Sequence, residues 1–188
     1  MPRPTDPSDH DLMSRCRQGD AVAFEEIVRR WEQPLGRMVG HLAGPGADVD
    51  DLCQEVFVRI LRARERYRPS HAFSTWVYRI ALNVARDNRR REVRRIQQPL
   101  DAHDQPSIAP SPADEIEMLE TSQIVDAAVR ALPDELREVL VLKHFGKLSF
   151  AEVAETTGMP LGTIKSRMGV ALRELRLELS RRGVTGES

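Results

Sequence analysis

Apolar residues recur along this chain every three to four positions, the spacing that lines one face of a helix, and strand-like alternation is almost absent. A short helix is predicted over about 9–18, where Leu12, Met13 and Cys16 share a face before Gly19 ends it. Asp20 is placed to cap a longer helix whose stripe reads Phe24, Ile27, Val28, Trp31, Leu35, Met38, Val39 and Leu42. Pro34 lies inside that stripe and predicts a kink rather than a stop. GPGAD at 44–48 reads as a turn, after which Asp48 or Asp50 can cap a third helix with the stripe Val49, Leu52, Val56, Phe57, Ile60 and Leu61. Beyond the loop RYRPSHA, a fourth helix is expected from about Ser74 towards Arg95, burying Trp76, Val77, Ile80, Ala81 and Val84.

The periodicity then stops. IQQPLDAHDQPSIAPSPADE, residues 96–115, holds four of the twelve prolines and reads as an extended linker. Four more helices are predicted at Ile116–Leu132, Pro133–Phe145, Ser149–Thr157 and Leu161–Ser180. The expected fold is all-α: two small helical domains, 1–95 and 116–188, joined by a flexible, acidic, proline-rich linker.

Charge changes this picture by its distribution, since the net value is only −1. Residues 21–95 carry fifteen Arg and ten acids, residues 129–188 ten basic and eight acidic groups, and residues 96–128 seven acids with no Lys or Arg. Two basic segments therefore flank an acidic one, giving two potential polyanion-binding surfaces. The apolar runs are too short to span a membrane, and the N-terminus lacks a signal peptide's apolar run, so no membrane insertion and a cytoplasmic location are expected. Cys16 and Cys53 fall on apolar helix faces and read as buried thiols. The five histidines have no metal-ligand spacing and no nucleotide-binding Gly-rich loop is present, so neither a cofactor nor an enzyme is expected.

Two stretches carry the functional reading. In LSFAEVAETTGMPLGTIKSR, 148–167, a small Ala154, a Gly158 four residues later and an Ile164 six beyond match the demands of a helix-turn-helix. The crossing needs a small side chain, the turn needs a residue at positive φ, and the second helix needs a buried aliphatic facing the first. Phe150, Val153 and Met168 complete the small core, and Pro160 precedes the second helix, where a missing N–H costs little. That helix presents Thr163, Lys165, Ser166 and Arg167, with Arg173 further on, to phosphates and base edges. In FSTWVYRIALNVARDNRRREVRR, 73–95, an aromatic first half leads into six Arg against two acids. Aromatic faces stack unpaired bases and arginines track the backbone, a combination suited to single strands, although Phe73, Trp76 and Tyr78 also fit a hydrophobic core. DVDDLCQEVFVRIL, 48–61, concentrates acids at a helix N-terminus, where they complement the dipole. Gln54, Glu55 and Arg59 form a polar stripe that also suits docking on a partner helix.

Taken in order, DVDDLCQEVFVRIL, FSTWVYRIALNVARDNRRRE, an acidic linker and LPDELREVLVLKHFGKLSFAEVAETTGMPLGTIKSR resemble a bacterial RNA polymerase sigma factor of the extracytoplasmic-function class. The resemblance implies a sigma-2 domain at 1–95 and a sigma-4 domain at 116–188, with the linker at 96–115 lying in the cationic RNA path of the polymerase. It implies core RNA polymerase as partner, through the β′ clamp coiled coil and the β flap, with Asp51, Leu52, Gln54, Glu55, Phe57 and Arg59 at the docking helix. It implies −10 promoter contacts from Arg68, Ser70, His71, Phe73, Trp76, Arg79, Asn83, Arg86, Asp87, Arg89 and Arg90, and −35 contacts from the helix-turn-helix. An anti-sigma factor is a further implied partner. The chain departs from the family after KSR, where MGVAL supplies no cation before Arg173, so base reading is expected to concentrate at 163–167. A stand-alone helix-turn-helix regulator that binds duplex DNA is the competing reading, and the block at 48–95 is what such a regulator would not need.

Overall fold

Side-chain caps set where several of the helices begin. The structure, a computed structural model, describes residues 7–44, 46–69, 72–97 and 116–184. Ser8 opens helix α1 (Asp9–Arg17) with a reciprocal capping box: its hydroxyl accepts from the Asp11 amide at 3.2 Å, and the Asp11 carboxylate accepts from the Ser8 amide at 3.1 Å. Asp20 caps α2 (Ala21–Leu42) by accepting from the Ala23 amide at 3.1 Å. Asp48, not Asp50, caps α3 (Val49–Ala63), accepting from the Asp51 amide at 3.0 Å. A 3-10 turn at Arg64–Arg66 leads to α4 (Phe73–Gln97). The predicted linker lies outside the described residues beyond Gln97. Helices α5 (Ile116–Ala131), α6 (Asp134–His144), α7 (Phe150–Thr157) and α8 (Leu161–Arg181) follow, and no strand occurs among the described residues. Helix α2 passes through Pro34 without ending there.

Helices α1 to α4 enclose Leu12, Met13, Ile27, Leu35, Met38, Leu42, Val56, Ile60, Val77 and Leu82, all fully buried. Both cysteines are free and buried here, and burial raises the Cys16 thiol and pushes the Cys53 thiol up to about 11. One expectation needs correcting: Leu61, placed by periodicity in the buried stripe of α3, is 38% exposed. It stands at the edge of the stripe, one residue past the fully buried Ile60, and faces outward with Val58.

In the second half, Ser149 opens α7 with another capping box, and Gly158 ends it at φ +75°, the left-handed conformation expected for the turn. Val153, Ile164 and Met168 are buried between α7 and α8 as the helix-turn-helix pattern requires. Helix α6 has another character. Arg137 through Leu142 are six consecutive buried residues, so this helix is covered all round. Helix α8 lies on one side of it and α2 on another. The Arg137 guanidinium donates to the carbonyls of Arg130 at 2.7 Å and Leu132 at 3.3 Å, clamping the α5–α6 corner, and it also pairs with Asp134.

The two halves are therefore packed together. Helix α4 runs against α7, and α2 against α5 and α6. The His41 ring of α2 lies 3.9 Å, centroid to centroid, from that of Phe145 at the end of α6. A Cβ on Gly146 would stand 2.6 Å from the Leu142 carbonyl oxygen and 3.2 Å from the Tyr78 ring, so this position needs glycine. None of the described helices is long and apolar enough to cross a membrane.

Candidate nucleic-acid interface

Helix α8 starts after Pro160 with no side-chain cap, leaving the first-turn amides available to an acceptor. Lys165 and Ser166 are exposed there, and Thr163 is half-buried. Arg167 turns back instead, with its Nη2 2.5 Å from Glu135 Oε2 of α6 and its Nη1 against the Met159 sulfur. Arg173 is well exposed on the following turns, 3.7 Å from Glu174.

Along α4, Trp76, Arg79, Asn83, Arg86 and Arg90 step by three or four residues and share one stripe. The Trp76 indole is half-buried at the edge of an aromatic stack, 4.8 Å from the Tyr67 ring and 5.8 Å from that of Phe73. Phe73 itself is buried, edge-on to Trp31 at 5.3 Å and to Tyr67 at 5.7 Å, so it props the stack rather than facing solvent. The Tyr67 hydroxyl is hydrogen-bonded to His10 of α1. Arg68 is exposed and donates to the carbonyls of Glu65 and Tyr67. Ser70 and His71 lie outside the described residues.

Arginines of α4 also reach the second half of the chain, although Arg79, Asn83 and Arg90 stay exposed. Arg79 donates to the Glu155 carbonyl of α7. Arg86 makes a two-pronged contact with Glu138 of α6, Nε to Oε1 at 2.9 Å and Nη2 to Oε2 at 2.5 Å. Arg89 donates to Glu138 Oε1 at 2.7 Å, lies 3.0 Å from Asp134 Oδ2, and reaches the Leu42 carbonyl at the end of α2. Glu138 is only 4% exposed. Beside these pairs a cleft of about 830 Å³ opens, lined among others by Arg90, Arg94, Val93, Glu135 and Arg167. Sequence reasoning missed the acids of α6, although a glutamate inside the apolar run of LREVLVL was a sign of a buried pair.

The polar stripe on α3 divides. Asp51 and Gln54 are exposed, whereas Glu55 and Arg59 are half-buried in an ion pair at 2.7 Å. Arg59 also reaches Asp87 of α4 at 2.9 Å, tying α3 to α4. Leu52 is buried and Phe57 packs against the core, so both act through packing. The outward face of α3 is instead Asp51, Gln54, Val58 and Leu61, again at helical spacing. Among the described residues no cluster of His, Cys, Asp and Glu is placed to hold a metal ion.

His41 gives the contact between the halves a pH dependence. Its Nδ1 has no partner, its Nε2 stands 3.9 Å from Asp126 of α5, and Arg130 adds a repelling charge. Burial lowers its pKa below the usual 6.5, with Asp126 opposing the shift. The unfolded chain then takes up the proton first, so this contribution to stability is complete above pH 6.5 and is lost as the pH falls through the folded value. Urea midpoints measured at pH 7.5 and 5.5 are expected to fall on acidification, and His41→Asn to flatten that difference.

Comparison with known proteins bears on both surfaces. Residues 27–95 match the family model for Sigma-70 region 2 and residues 122–175 that for Sigma-70, region 4. The ECF RNA polymerase sigma-E factor of Escherichia coli strain K12 is 31% identical over 170 residues, 86% of this chain and 88% of the relative. The structure of CnrH in complex with the cytosolic domain of CnrY superposes with a TM-score of 0.69 at 27% identity, covering 92% of this chain and 97% of that one. The sigma factor RpoE of Bartonella quintana, solved with the anti-sigma factor NepR, shares the fold at a TM-score of 0.70 and 22% identity, over 84% of this chain and 96% of its own.

Proposed function

Because this chain belongs to the extracytoplasmic-function class of RNA polymerase sigma factors, we propose that it binds core RNA polymerase and directs promoter-specific initiation through separate −10 and −35 readers. One observation supports the residue-level reading: a single chain carries an aromatic rim beside a row of arginines on α4 and an uncapped, cationic helix start on α8. The half-buried Trp76 backed by Tyr67 and Phe73, with arginines along the same stripe of α4, suits an unstacked base and its backbone. The uncapped start of α8 with exposed Lys165 and Ser166 suits duplex DNA in the major groove. The first is the −10 reader, formed by Arg68, Trp76, Arg79, Asn83, Arg86, Arg89 and Arg90. Asp87 holds Arg59, and Phe73 holds the aromatic stack, so these two position the reader rather than touch DNA. The second is the −35 reader, formed by Thr163, Lys165, Ser166 and Arg167, with Arg173 on phosphate.

The outward face of α3, Asp51, Gln54, Val58 and Leu61, is the polymerase-docking surface, with Glu55 and Arg59 fixing it to α4. Domain boundaries at 1–95 and 116–188 accommodate both family matches. CnrH was solved with the cytosolic domain of a second protein, and an anti-sigma factor that masks these surfaces is the corresponding partner here. The protein acts as a specificity subunit in the cytoplasm, where the polymerase works, and needs no cofactor of its own. Run-off transcription with core polymerase, this chain and the DNA upstream of its own gene tests the reading. A discrete transcript dependent on the chain is expected. Binding of upstream duplex without polymerase, and no transcript with it, would instead identify a stand-alone regulator.

A further inference from the structure

We infer that the first turn of α1 belongs to the −10 reader: His10 positions the Trp76 rim by holding the Tyr67 hydroxyl, and Asp9 braces the same aromatic cluster through Trp31. The inference rests on the assignment of Trp76 to base capture. Helix α1 lies ahead of the Sigma-70 region 2 match, which begins at residue 27, and carries none of the residues proposed to touch promoter or polymerase. Yet two neighbouring side chains of its first turn take the polar ends of one aromatic cluster. The His10 ring stacks on that of Tyr67 at 5.8 Å and 24°, and its Nδ1 shares a hydrogen bond with the Tyr67 hydroxyl. Tyr67 leads on to Trp76 at 4.8 Å. Asp9 Oδ2 accepts from Trp31 Nε1 at 3.2 Å, its Oδ1 lies 3.2 Å from Arg30 Nη1, and Trp31 stands edge-on to Phe73 and Tyr78.

These contacts are not what keeps α1 in place. Leu12, Met13 and Cys16 bury the core face of the helix, and the Ser8–Asp11 capping box fixes its start. Tyr67 is the ring that needs holding. It lies in the connection between the 3-10 turn and α4, so no helix backbone sets its direction, and it is 3% exposed. A hydroxyl buried that deeply needs a partner, and His10 supplies it. That bond also fixes the angle of the ring on which the Trp76 indole leans. A binding face is only as well placed as the side chains locked behind it. With the hydroxyl unheld, the rim spreads over more orientations and captures an unstacked base less often.

The test uses holoenzyme assembled from core polymerase and the full chain, on a promoter fragment carrying 2-aminopurine in the −10 element. His10→Leu and Tyr67→Phe should each lower opening about 3- to 10-fold, the range of one hydrogen bond, while binding of a −35 duplex stays at the parent value. His10→Asn, whose side-chain amide reaches the place of Nδ1, should recover most of the opening. The double variant His10→Leu with Tyr67→Phe should lose no more than either single one, because both remove the same bond. A role confined to folding would leave opening by the folded variants unchanged, and that result overturns the inference. Additive losses, or equal losses in the Leu and Asn variants, overturn action through the Tyr67 hydroxyl. If His10→Leu does not fold, Tyr67→Phe, which keeps the ring, decides alone. Trp76→Ala run alongside separates the two levels. If it leaves opening intact, the −10 assignment fails and this inference with it. If it lowers opening where Tyr67→Phe and His10→Leu do not, only the positioning by α1 fails.

Discussion

Trp76→Ala is expected to lower promoter opening by the assembled holoenzyme about 10- to 100-fold, following the ~1–3 kcal/mol that one base-stacking aromatic contributes. Binding of the same holoenzyme to −35 duplex should not change. The indole sits at the rim of the Tyr67–Phe73 stack, with part of its surface open and the rest held by those rings. A base leaving the duplex can extend that stack, whereas methyl-sized alanine offers no face. Trp76→Phe should restore part of the opening, because it keeps an aromatic face at the same rim. Lys165→Ala should do the opposite: binding of the −35 duplex weakens by about 1–3 kcal/mol with relaxed specificity there, and opening of an already bound promoter is spared. Fluorescence of 2-aminopurine in the −10 element and anisotropy of a −35 duplex measure the two steps separately. If both substitutions weakened duplex binding equally, the division between α4 and α8 would be lost.

The second large effect is expected on α3. Val58→Asp should reduce the affinity for core polymerase at least about 30-fold, the order of a 2 kcal/mol hot-spot loss. Val58 and Leu61 are 39% and 38% exposed between Gln54 and the helix end, an apolar pair in a polar surround. A carboxylate there would be desolvated by any partner helix laid along this face, while the free chain keeps it partly hydrated and loses only the packing of a residue 39% exposed. Leu52→Ala supplies the contrast. Leu52 is 6% exposed, so its truncation should cost about 2–5 kcal/mol of folding stability and weaken docking only through unfolding. Native gel competition for core polymerase, together with urea denaturation, separates the two outcomes.

Most of the local architecture was legible in the chain because it rests on interactions over a few residues. The caps at Asp20 and Asp48, the left-handed Gly158 and the buried Val153, Ile164 and Met168 all follow from patterns within one or two helical turns. Leu61 was misplaced for a related reason: a periodic stripe says which residues share a face, not how wide a part of that face the core covers, and Ile60 beside it is fully buried. The packing of the two halves was not legible at all. Arg86 and Glu138 meet across 52 residues, and neither position has a local signature that names the other. The same limit concealed Arg59, whose spacing from Glu55 read as an outward polar stripe while its second partner, Asp87, lay 28 residues further on. The arginines proposed to read the promoter were recognisable by type, but the pairing of Arg86 and Arg89 with Glu138 required the tertiary structure.

The buried thiols of the first bundle carry a consequence of a different kind. With the Cys53 pKa pushed up to about 11, its thiolate at neutral pH is on the order of one part in ten thousand, and thiolate is the reactive form. An alkylating electrophile therefore meets almost no nucleophile until α1 to α3 come apart. Helices α1 and α3, which carry these thiols, pack chiefly on α2, α4 and the 3-10 turn, so loosening of α5 to α8 should not raise the alkylation rate. Trapping of Cys16 and Cys53 thus clocks unfolding of the first bundle alone, whatever the second half does meanwhile.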